Sequence, residues 1–310
     1  MSDFVQQQNS ICDFSNSDSW VILSPIEQSI KRKIEAVGTP LKDWDIQINY
    51  GIKTGFNDAF IISTEKREEI LANCQTEDER KRTAELIRPI LRGRDIKRYG
   101  YEWAELWLIA TFPSRHYDID EYPSVKEYLL SYGIERLEQT GKVHTVNGEK
   151  IKARKKTNNK WYETQDSISY WEDFNKPKIV WGEISDRSKF AYESEGKYVP
   201  EATTFLMVGS HLPYLFCVLN SPLSEWFFSK VGTTTGVGTV RWKKYTIQQL
   251  LLPRASDIQQ DIFSELVAKY ITGNIPIEVF TKKVNTEIYN LVGLNETEID
   301  YVENYYPPLS

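Results

Sequence analysis

The sequence is poor in the residue types that build metal centres and disulfide frameworks. Its 310 residues include only three cysteines and three histidines. Cys12, Cys74 and Cys217 lie far apart and form no C-x-x-C pair, so they support neither a zinc site nor a disulfide framework. We therefore expect this chain to bind no metal ion.

Long apolar runs are missing as well. No stretch approaches the ~20 apolar residues that a membrane-spanning helix needs. The first ten residues, MSDFVQQQNS, have neither the basic start nor the apolar core of a signal peptide. A hydrophobic fraction of 40% and a charged fraction of 26% are typical of a globular chain with a core of its own. We expect a cytoplasmic protein.

The signatures of common enzyme classes are also absent. The sequence has no G-x-S-x-G, no G-x-x-x-x-G-K-[ST] loop and no H-E-x-x-H pair. Its nearest string to the motif with which adenine methyltransferases grip a flipped base is NSPL, at Asn220 to Leu223. This string lacks the second proline and the aromatic residue. These absences predict that the chain carries no chemistry of its own.

Charge is abundant but segregated along the chain. The formal net charge is -6, yet Arg88 to Arg98 holds five basic residues and one acidic residue. Lys142 to Lys160 holds seven basic residues against Glu149 alone, whereas Asp257 to Ser310 holds nine carboxylates and three lysines. Because phosphate affinity comes from lysine and arginine, the middle of the chain is the candidate for binding nucleic acid.

The N-terminal part of the chain predicts helices and a hairpin. Ser24 and Glu27 form a capping box for a first helix that ends at Gly38. Alternating apolar residues from Trp44 to Tyr50 predict a strand, and Phe56 to Ile62 is interpreted as its hairpin partner. Two further helices are expected at Glu65 to Asn73 and Glu77 to Arg88.

The rest of the chain divides into a sheet-rich middle and a helical end. From Trp103 to Tyr245, short apolar or alternating runs separated by polar loops predict strands, with one helix near Pro123. After Asp257 the apolar spacing is helical and predicts a helical hairpin followed by a short helix. One stripe contains Ile258, Ile262, Leu266 and Tyr270, and the other contains Phe280, Val284, Ile288 and Leu291. The predicted fold class is mixed α+β.

Four segments combine basic, hydroxyl and amide side chains in loops, and they are our candidate DNA contacts. The loop GIKTG and the residues after it supply Lys53, Thr54, Gly55 and Asn57. The basic turn supplies Arg92, Arg94, Lys97 and Arg98. The run KIKARKKTNNKWY supplies Lys152, Arg154, Lys155, Lys156, Asn158, Lys160 and Trp161. The stretch TTTGVG and the basic cluster after it supply Thr234, Arg241 and Lys243.

Each segment also has a structural interpretation that the sequence leaves open. The first and fourth can be ordinary hairpins, the second a solvated helix end that complements a helix dipole, and the third a solvated loop. A separate possibility is a metal-dependent nuclease. Glu183, Asp186 and Lys189 superficially match its two carboxylates and lysine, but the same string suits a strand end and turn.

Taken in order, several segments resemble the TaqI-like C-terminal specificity domain. This is the target recognition domain of type IIG restriction-modification enzymes and related N6-adenine DNA methyltransferases. The first two are GIKTGFNDAFII (Gly51 to Ile62) and IRPILRGRDIKRY (Ile87 to Tyr99). The others are KPKIVWGEIS (Lys176 to Ser185), Phe190 to Phe205, YLFCVLNSPLSEWFF (Tyr214 to Phe228) and Trp242 to Pro253. The resemblance covers the chain from about Trp20 to its end.

The resemblance implies a sheet-rich and loop-rich recognition domain with N-terminal helices. We expect an N-terminal segment at 1–20, the target recognition domain at 21–253, and a helical tail at 254–310 that packs on it. Such a domain reads double-stranded DNA from the major-groove side. It differs from its relatives in the variable middle, here about Arg115 to Trp171.

The function implied is a sequence-specific module that positions a separate adenine-N6 methyltransferase or endonuclease domain or subunit. S-adenosylmethionine and Mg²⁺ are expected on that catalytic part, and no cofactor is expected in this chain. The alternatives are a stand-alone metal-dependent nuclease and a protein-interaction subunit that modulates a methyltransferase.

Overall fold

The computed structural model describes residues 23–231 and 240–305, which form the predicted mixture of helices and strands. The helices are α1 (Pro25–Val37), α2 (Asn57–Phe60), α3 (Thr64–Ala72), α4 (Glu77–Leu86), α5 (Pro123–Leu130), α6 (Ile134–Leu137), α7 (Leu212–Asn220), α8 (Pro222–Val231), α9 (Lys244–Ile247), α10 (Asp257–Ile271), α11 (Ile277–Val292) and α12 (Glu296–Glu303). Within the described ranges, none of them combines the length and hydropathy needed to cross a membrane.

The strands are short and belong to several small sheets. In chain order they are β1 (Gly38–Pro40), β2 (Ile46–Tyr50), β3 (Ile61–Ser63), β4 (Ile87–Leu91), β5 (Ile96–Lys97), β6 (Gly100–Tyr101), β7 (Leu106–Ile109), β8 (Val143–Val146), β9 (Glu149–Lys152), β10 (Lys178–Gly182), β11 (Ile184–Ser185), β12 (Phe190–Glu193), β13 (Val199–Pro200), β14 (Thr204–Gly209), β15 (Val240–Arg241) and β16 (Leu251–Pro253).

The chain forms two compact units that alternate along the sequence. The described part of the first unit is 23–45, 185–188, 213–231 and 240–305, and the second unit is 46–184 and 189–212. The domain boundary expected between residues 253 and 254 therefore lies inside the first unit. The reason is that β16 pairs antiparallel with β1, which ties the segment before the helical tail to the N-terminal helix.

The second unit contains two four-stranded sheets that share a core. Their strand orders are β12-β10-β14-β2 and β13-β4-β7-β3. Val180 and Leu206 from the first sheet lie in one buried cluster with Ile90 and Leu108 from the second. The two sheets are therefore held together mainly by apolar burial, the dominant favourable contribution to folding.

The hairpin predicted on either side of the GIKTG loop is wrong. β2 pairs with β14, with Tyr50 opposite Phe205, whereas β3 pairs with β7 in the other sheet. The loop therefore crosses from one sheet to the other. Ala59 and Phe60 are both completely buried, which the short helix α2 allows and an alternating strand with one solvent face does not.

A buried ion pair joins two neighbouring strands of the first sheet. Lys178 on β10 lies opposite Glu193 on β12, and the Lys178 Nζ donates to the Glu193 carboxylate. Both side chains are fully buried, and burial lowers the pKa of Lys178 while Glu193 opposes that shift. The Glu193 carboxylate also accepts from the backbone N–H groups of Glu195 and Lys197, so it fixes the turn after β12.

In the first unit, the structure confirms the predicted capped helices. Ser24 and Glu27 form the capping box of α1, and the tail is a helical hairpin followed by the short helix α12. The first tail stripe is partly wrong, because Ile258 is 78% exposed and α10 instead buries Phe263, Leu266 and Val267. Leu266 is the member of the predicted stripe that lies in the core, where Phe263 and Val267 join it.

Two helices, α7 and α8, lie in the region interpreted as sheet-rich and loop-rich. The sequence of α7 is almost continuously apolar, with Leu215, Phe216, Cys217 and Val218 all buried in succession, whereas α8 also buries the polar residues Ser224 and Glu225. A helix that is apolar all round has no polar face to mark its period, so alternation and helical spacing give no signal.

We predict that Glu27→Gln flattens the loss of stability in acid. Burial alone would raise the pKa of Glu27, but hydrogen bonds from Lys230 and from the Ser24 backbone lower it to about 2. A carboxyl group with a depressed pKa contributes stability above its unfolded value of 4.5, and that stability is lost as the pH falls toward about 2. The contribution is on the order of 3 kcal/mol.

The measurement is urea unfolding at pH 7, 4.5 and 3. The variant should be less stable at pH 7 and should lose less stability between pH 4.5 and 3. Glu35→Gln is the matched control on the same helix, because the Glu35–Lys31 pair is exposed and contributes little. Identical pH slopes for the parent and Glu27→Gln would contradict the assignment.

Candidate nucleic-acid interface

Arg154 lies inside the second unit, at the point where two candidate segments and the end of α6 meet. The residue is 4% exposed, and its guanidinium donates to four backbone carbonyls from three stretches of chain. The acceptors are Leu137, Thr54, Glu163 and Trp161. The interpretation of Arg154 as a DNA contact is therefore corrected, because all of these bonds are internal.

Burial lowers the pKa of Arg154 to about 10, and the Glu163 carboxylate opposes the shift. The side chain therefore remains a cation at neutral pH. Its carbon atoms lie against the GIKTG loop, and its guanidinium carbon is 5.0 Å from the centre of the Phe60 ring. A planar group with five fixed N–H donors suits this position because it can bind several carbonyls at once.

Gln139 fixes the same region from the other side. Its amide nitrogen donates to the carbonyls of Lys160 and Glu163, at 3.1 and 2.9 Å, and its amide oxygen accepts from the Thr157 hydroxyl at 2.8 Å. Asn159 donates within the same loop to Thr164 and Gln165. We call Arg154, Gln139 and the carbonyls that they bind the carbonyl network. It holds the backbone of 157–165 in one conformation.

Thr54 also has an internal role rather than the expected contact with DNA. The residue is 1% exposed, its hydroxyl donates to Asn57 Oδ1 at 2.5 Å, and it accepts from the Phe56 backbone at 3.1 Å. These bonds begin the turn into α2. The backbone carbonyl of Lys53 accepts from the N–H of Gln165, at 3.1 Å, which ties the GIKTG loop to the loop that follows Arg154.

The remaining candidates in these segments present their side chains to solvent. The residues that are exposed are Lys53, Gly55, Asn57, Lys152, Lys155, Lys156, Asn158 and Lys160. Trp161 is half-buried and meets Tyr162 edge-on at 5.4 Å. A hydrogen bond with Tyr162 raises the pKa of Lys160. The structure thus brings exposed cations and amides from two distant segments together around the carbonyl network.

The basic turn at Arg92 to Arg98 divides its side chains between internal bonds and solvent. Arg92 forms a hydrogen-bonded ion pair with Asp95, at 2.7 Å between Nη2 and Oδ1. Arg94 and Lys97 are exposed, and Lys97 lies 3.4 Å from Glu102. Arg98 is half-buried and lies over the Tyr99 ring. Arg94 is therefore a side chain of this turn that faces solvent.

The backbone of β13 and the residues after it lies between the two loops of the resemblance. A Cβ atom on Gly51 would lie 2.0 Å from the Glu201 carbonyl oxygen, and one on Gly93 would lie 3.1 Å from the Thr203 hydroxyl. Ile52 donates its N–H to the Pro200 carbonyl at 2.8 Å. The GIKTG loop and the basic turn are therefore positioned by the same short segment of chain.

Sequence reasoning missed an aromatic and cationic surface beside these loops. The guanidinium of Arg115 stacks 3.9 Å above the Trp171 ring. The Tyr170 hydroxyl donates to the carbonyl of Tyr50, which is 54% exposed at the end of β2. The residues belong to strings without a recognisable motif, and only the tertiary fold brings them together.

The candidates of the fourth segment belong to the first unit. Arg241 is exposed in β15, and Lys243 is the residue before α9, with its Nζ 5.9 Å from the Tyr245 ring. Thr234 lies outside the described residues. As DNA contacts, these three positions remain expectations.

The nuclease interpretation gains no support from the geometry. Asp186 accepts from the neighbouring Ser185 hydroxyl at 3.3 Å, and the Glu183 N–H donates to the Thr203 carbonyl. Across 23–231 and 240–305, no group of three or more histidine, cysteine, aspartate or glutamate side chains could hold a metal ion. In the backbone, Glu183 lies between β10 and β11, and Asp186 follows β11.

Comparison with known proteins gives one family and several distant relatives. The family model of the TaqI-like C-terminal specificity domain matches residues 88–252. The type II methyltransferase M.PaeR7I of Pseudomonas aeruginosa is 22% identical over 288 residues, which are 92% of this chain and 44% of that protein. The chain thus spans less than half the length of this curated relative.

Two solved structures extend the comparison. The type IIG restriction endonuclease BpuSI matches with a TM-score of 0.50 at 12% identity, over 87% of this chain and 33% of that chain. The type IIL restriction-modification enzyme MmeI, solved in complex with DNA, matches with a TM-score of 0.45 at 14% identity, over 88% and 34%. The likeness to BpuSI supports a shared fold.

We predict that Arg154→Met loosens both loops that the carbonyl network holds. The variant removes the Arg154 donor from four carbonyls, of which that of Glu163 keeps its bond from Gln139, and this should lower the free energy of unfolding by about 3 kcal/mol or more. Amide hydrogen exchange should accelerate at Gln165, whose N–H donates to Lys53. Lys155→Met is the matched control, because its exposed side chain should change stability by less than about 0.5 kcal/mol. Unchanged exchange at Gln165 in Arg154→Met would contradict the role of the network.

Proposed function

Because the chain belongs to the family of TaqI-like C-terminal specificity domains, we propose that it recognises a short sequence of double-stranded DNA for a restriction-modification enzyme. The observation that carries this proposal is the carbonyl network. It fixes two loops whose exposed side chains are the types that contact phosphates and base edges.

The distribution of charge supports DNA as the partner despite the acidic total. Lys53, Lys155, Lys156 and Lys160 all face solvent on loops joined through Arg154 and Gln139. Each cation that neutralises a phosphate releases condensed counterions and so adds affinity that depends on salt. Two basic residues of the sequence clusters do not contribute, since Arg154 is buried and Arg88 donates to Asn175 and to the carbonyl of Lys197.

The fixed backbone of the loop that carries Asn158 and Lys160 supports sequence-specific rather than non-specific DNA binding. A base-reading side chain must be held close to its productive geometry by supporting contacts, and loops need such contacts more than helices do. Asn158 and Lys160 extend from a backbone fixed by Gln139, Thr157 and Asn159. An amide can bind adenine and a lysine can bind guanine in the major groove.

We propose that the chemistry belongs to a separate adenine-N6 methyltransferase and endonuclease part, as in type IIG enzymes. That part would hold S-adenosylmethionine and Mg²⁺, and this chain would place it on its target. M.PaeR7I is named a methyltransferase and BpuSI a type IIG endonuclease, and the chain matches less than half of each. The acidic tail from Asp257 onward is assigned to a structural role or to contacts with protein, because DNA would repel its nine carboxylates.

The experiment that tests the proposal is selection of bound duplexes from a random pool by the 310-residue chain. We expect one short sequence to be enriched, with binding that weakens steeply as salt rises. Binding without any enriched sequence, together with tight binding to a methyltransferase, would instead identify a protein-interaction subunit. Metal-dependent cleavage of plasmid DNA, lost in Glu183→Ala, would identify a nuclease.

We predict that Lys53→Ala weakens DNA binding without changing stability. Thr54→Val should lower stability without weakening DNA binding. Lys53 is exposed, and Thr54 is buried with two hydrogen bonds of its own. If Lys53 contacts phosphate, its loss should weaken all duplexes about equally and reduce the salt slope by roughly one unit. If Lys53 reads a base, discrimination at one position should fall by ~1–3 kcal/mol.

The measurements are fluorescence-anisotropy titrations over a range of salt concentrations and thermal melting. Lys282→Ala is the matched control, since Lys282 is an exposed lysine in the acidic tail and should change neither quantity. Parent-like DNA binding by Lys53→Ala would remove the GIKTG loop from the interface.

A further inference from the structure

A two-stranded hairpin within the second unit combines β8 and β9. Val143 pairs with Lys152, and Thr145 pairs with Lys150, in an antiparallel ladder. The turn residues Asn147 and Gly148 have φ values of 49° and 86°. Positive φ at both central residues is typical of a type I′ turn, which matches the twist of the strands and makes a compact two-residue tip.

The two faces of this hairpin differ in exposure and chemistry. Alternation along paired strands places Val143, Thr145, Lys150 and Lys152 on one face, and all four are exposed. Val143 is 59% exposed. We call this the lysine face. It carries two cations, one hydroxyl and one apolar side chain, and no carboxylate.

The opposite face is turned toward the protein. It contains His144, Val146 and Ile151, which are half-buried, and Glu149, the acidic residue of the two strands. The His144 Nε2 lies 3.4 Å from the carboxylate of Glu138, the residue after α6. The hairpin thus has a defined inner face and a defined outer face.

The base of the hairpin is continuous with the carbonyl network. The Ala153 N–H donates to the Lys142 carbonyl at 2.9 Å, and the Gly141 N–H donates to the Arg154 carbonyl at 2.8 Å. Arg154 is the buried cation of the network. At the other end, a Cβ atom on Gly148 would meet no atom within 4 Å, so the tip is open. The hairpin is therefore anchored at its base and free at its tip.

We propose that this hairpin enters the major groove of duplex DNA and that its lysine face reads base edges there. The inference rests on the proposed function and adds the element that enters the groove. A major groove about 12 Å wide admits a two-stranded β-ribbon, and each four-residue strand is about 13 Å long, enough for a groove about 8.5 Å deep.

The chemistry of the lysine face matches the edges displayed in that groove. Lysine can bind the O6 and N7 atoms of guanine, a threonine hydroxyl can bind several bases, and an apolar side chain contacts the thymine methyl group. The minor groove offers mainly acceptors that distinguish few base pairs, and it is about half as wide. Lys150 and Thr145, directly opposite each other, form the pair of this face that lies nearer the tip and are assigned to base contact.

The test compares the duplexes selected by the parent chain, by Lys150→Ala and by Thr145→Val. Both side chains are exposed, so thermal melting should be unchanged in either variant. We expect the variants to lose sequence preference at one or two adjacent base pairs, with discrimination there reduced about tenfold or more. Glu149→Gln changes the opposite face and is the matched control, which should select the parent sequence.

A second measurement identifies the groove. Parent binding is measured on selected duplexes in which uracil replaces thymine or 7-deazaguanine replaces guanine, changes confined to the major-groove edge. When the altered base lies at a base pair that the variants no longer read, the parent should bind the altered duplex more weakly than the normal one. Lys150→Ala or Thr145→Val should bind the altered and normal duplexes with nearly equal affinity.

The outcomes separate this inference from the proposed function. If the parent enriches no sequence, the proposed function fails and this inference fails with it. If the parent enriches a sequence that both variants also select, or if both variants weaken all duplexes equally, the reading of bases by the hairpin is overturned while the proposed function stands. Insensitivity of the parent to both altered bases would overturn the assignment to the major groove.

Discussion

The candidate interface depends on a buried arginine that bonds to carbonyls rather than to an acid. Arg154 donates to Leu137, Thr54, Glu163 and Trp161, which belong to different stretches of the second unit. A buried charge is costly unless its donors are satisfied, so the loops are held in the arrangement that satisfies them. The hydrogen bonds that satisfy the buried guanidinium therefore also fix the loops that carry the exposed lysines.

The sequence located this region but could not assign roles within it. The run from Lys142 to Lys160 was predicted to be a basic surface, and most of its cations are exposed. The run contains no alternation or spacing that marks Arg154 as buried and the neighbouring Lys155 as exposed, so only the tertiary structure distinguishes their surroundings. Thr54 shows the same limit, since a hydroxyl in a glycine-bracketed loop suits DNA and a local turn equally well. Local pattern predicts surface character, whereas the partners of a side chain depend on distant residues.

The errors in the fold have related causes. The strand at Trp44 to Tyr50 was predicted close to where β2 lies, but its partner is β14, more than 150 residues later, rather than the next apolar run. Strands that follow each other in sequence often pair. Here the chain instead leaves the first sheet after β2, since the N–H of Ile52 donates to the carbonyl of Pro200 in the other sheet. The helix α7 was missed for a different reason, since its almost continuously apolar sequence has no polar face from which a helix is recognised. Capped amphipathic helices, such as α1, were predicted closely because their signals are local.

The glycines of the two loops from the resemblance serve packing in this structure. Gly51 lies against the Glu201 carbonyl, and Gly93 lies against Thr203 and Gly182, so side chains larger than hydrogen would push the loops away from the segment between them. The flanking Lys53 and Arg94 are exposed and take no part in that contact. The glycines that position the backbone of these loops are thus different residues from the exposed ones that a ligand can contact. A domain built in this way can exchange its exposed side chains, and with them the sequence that it reads, while the backbone that presents them stays in place.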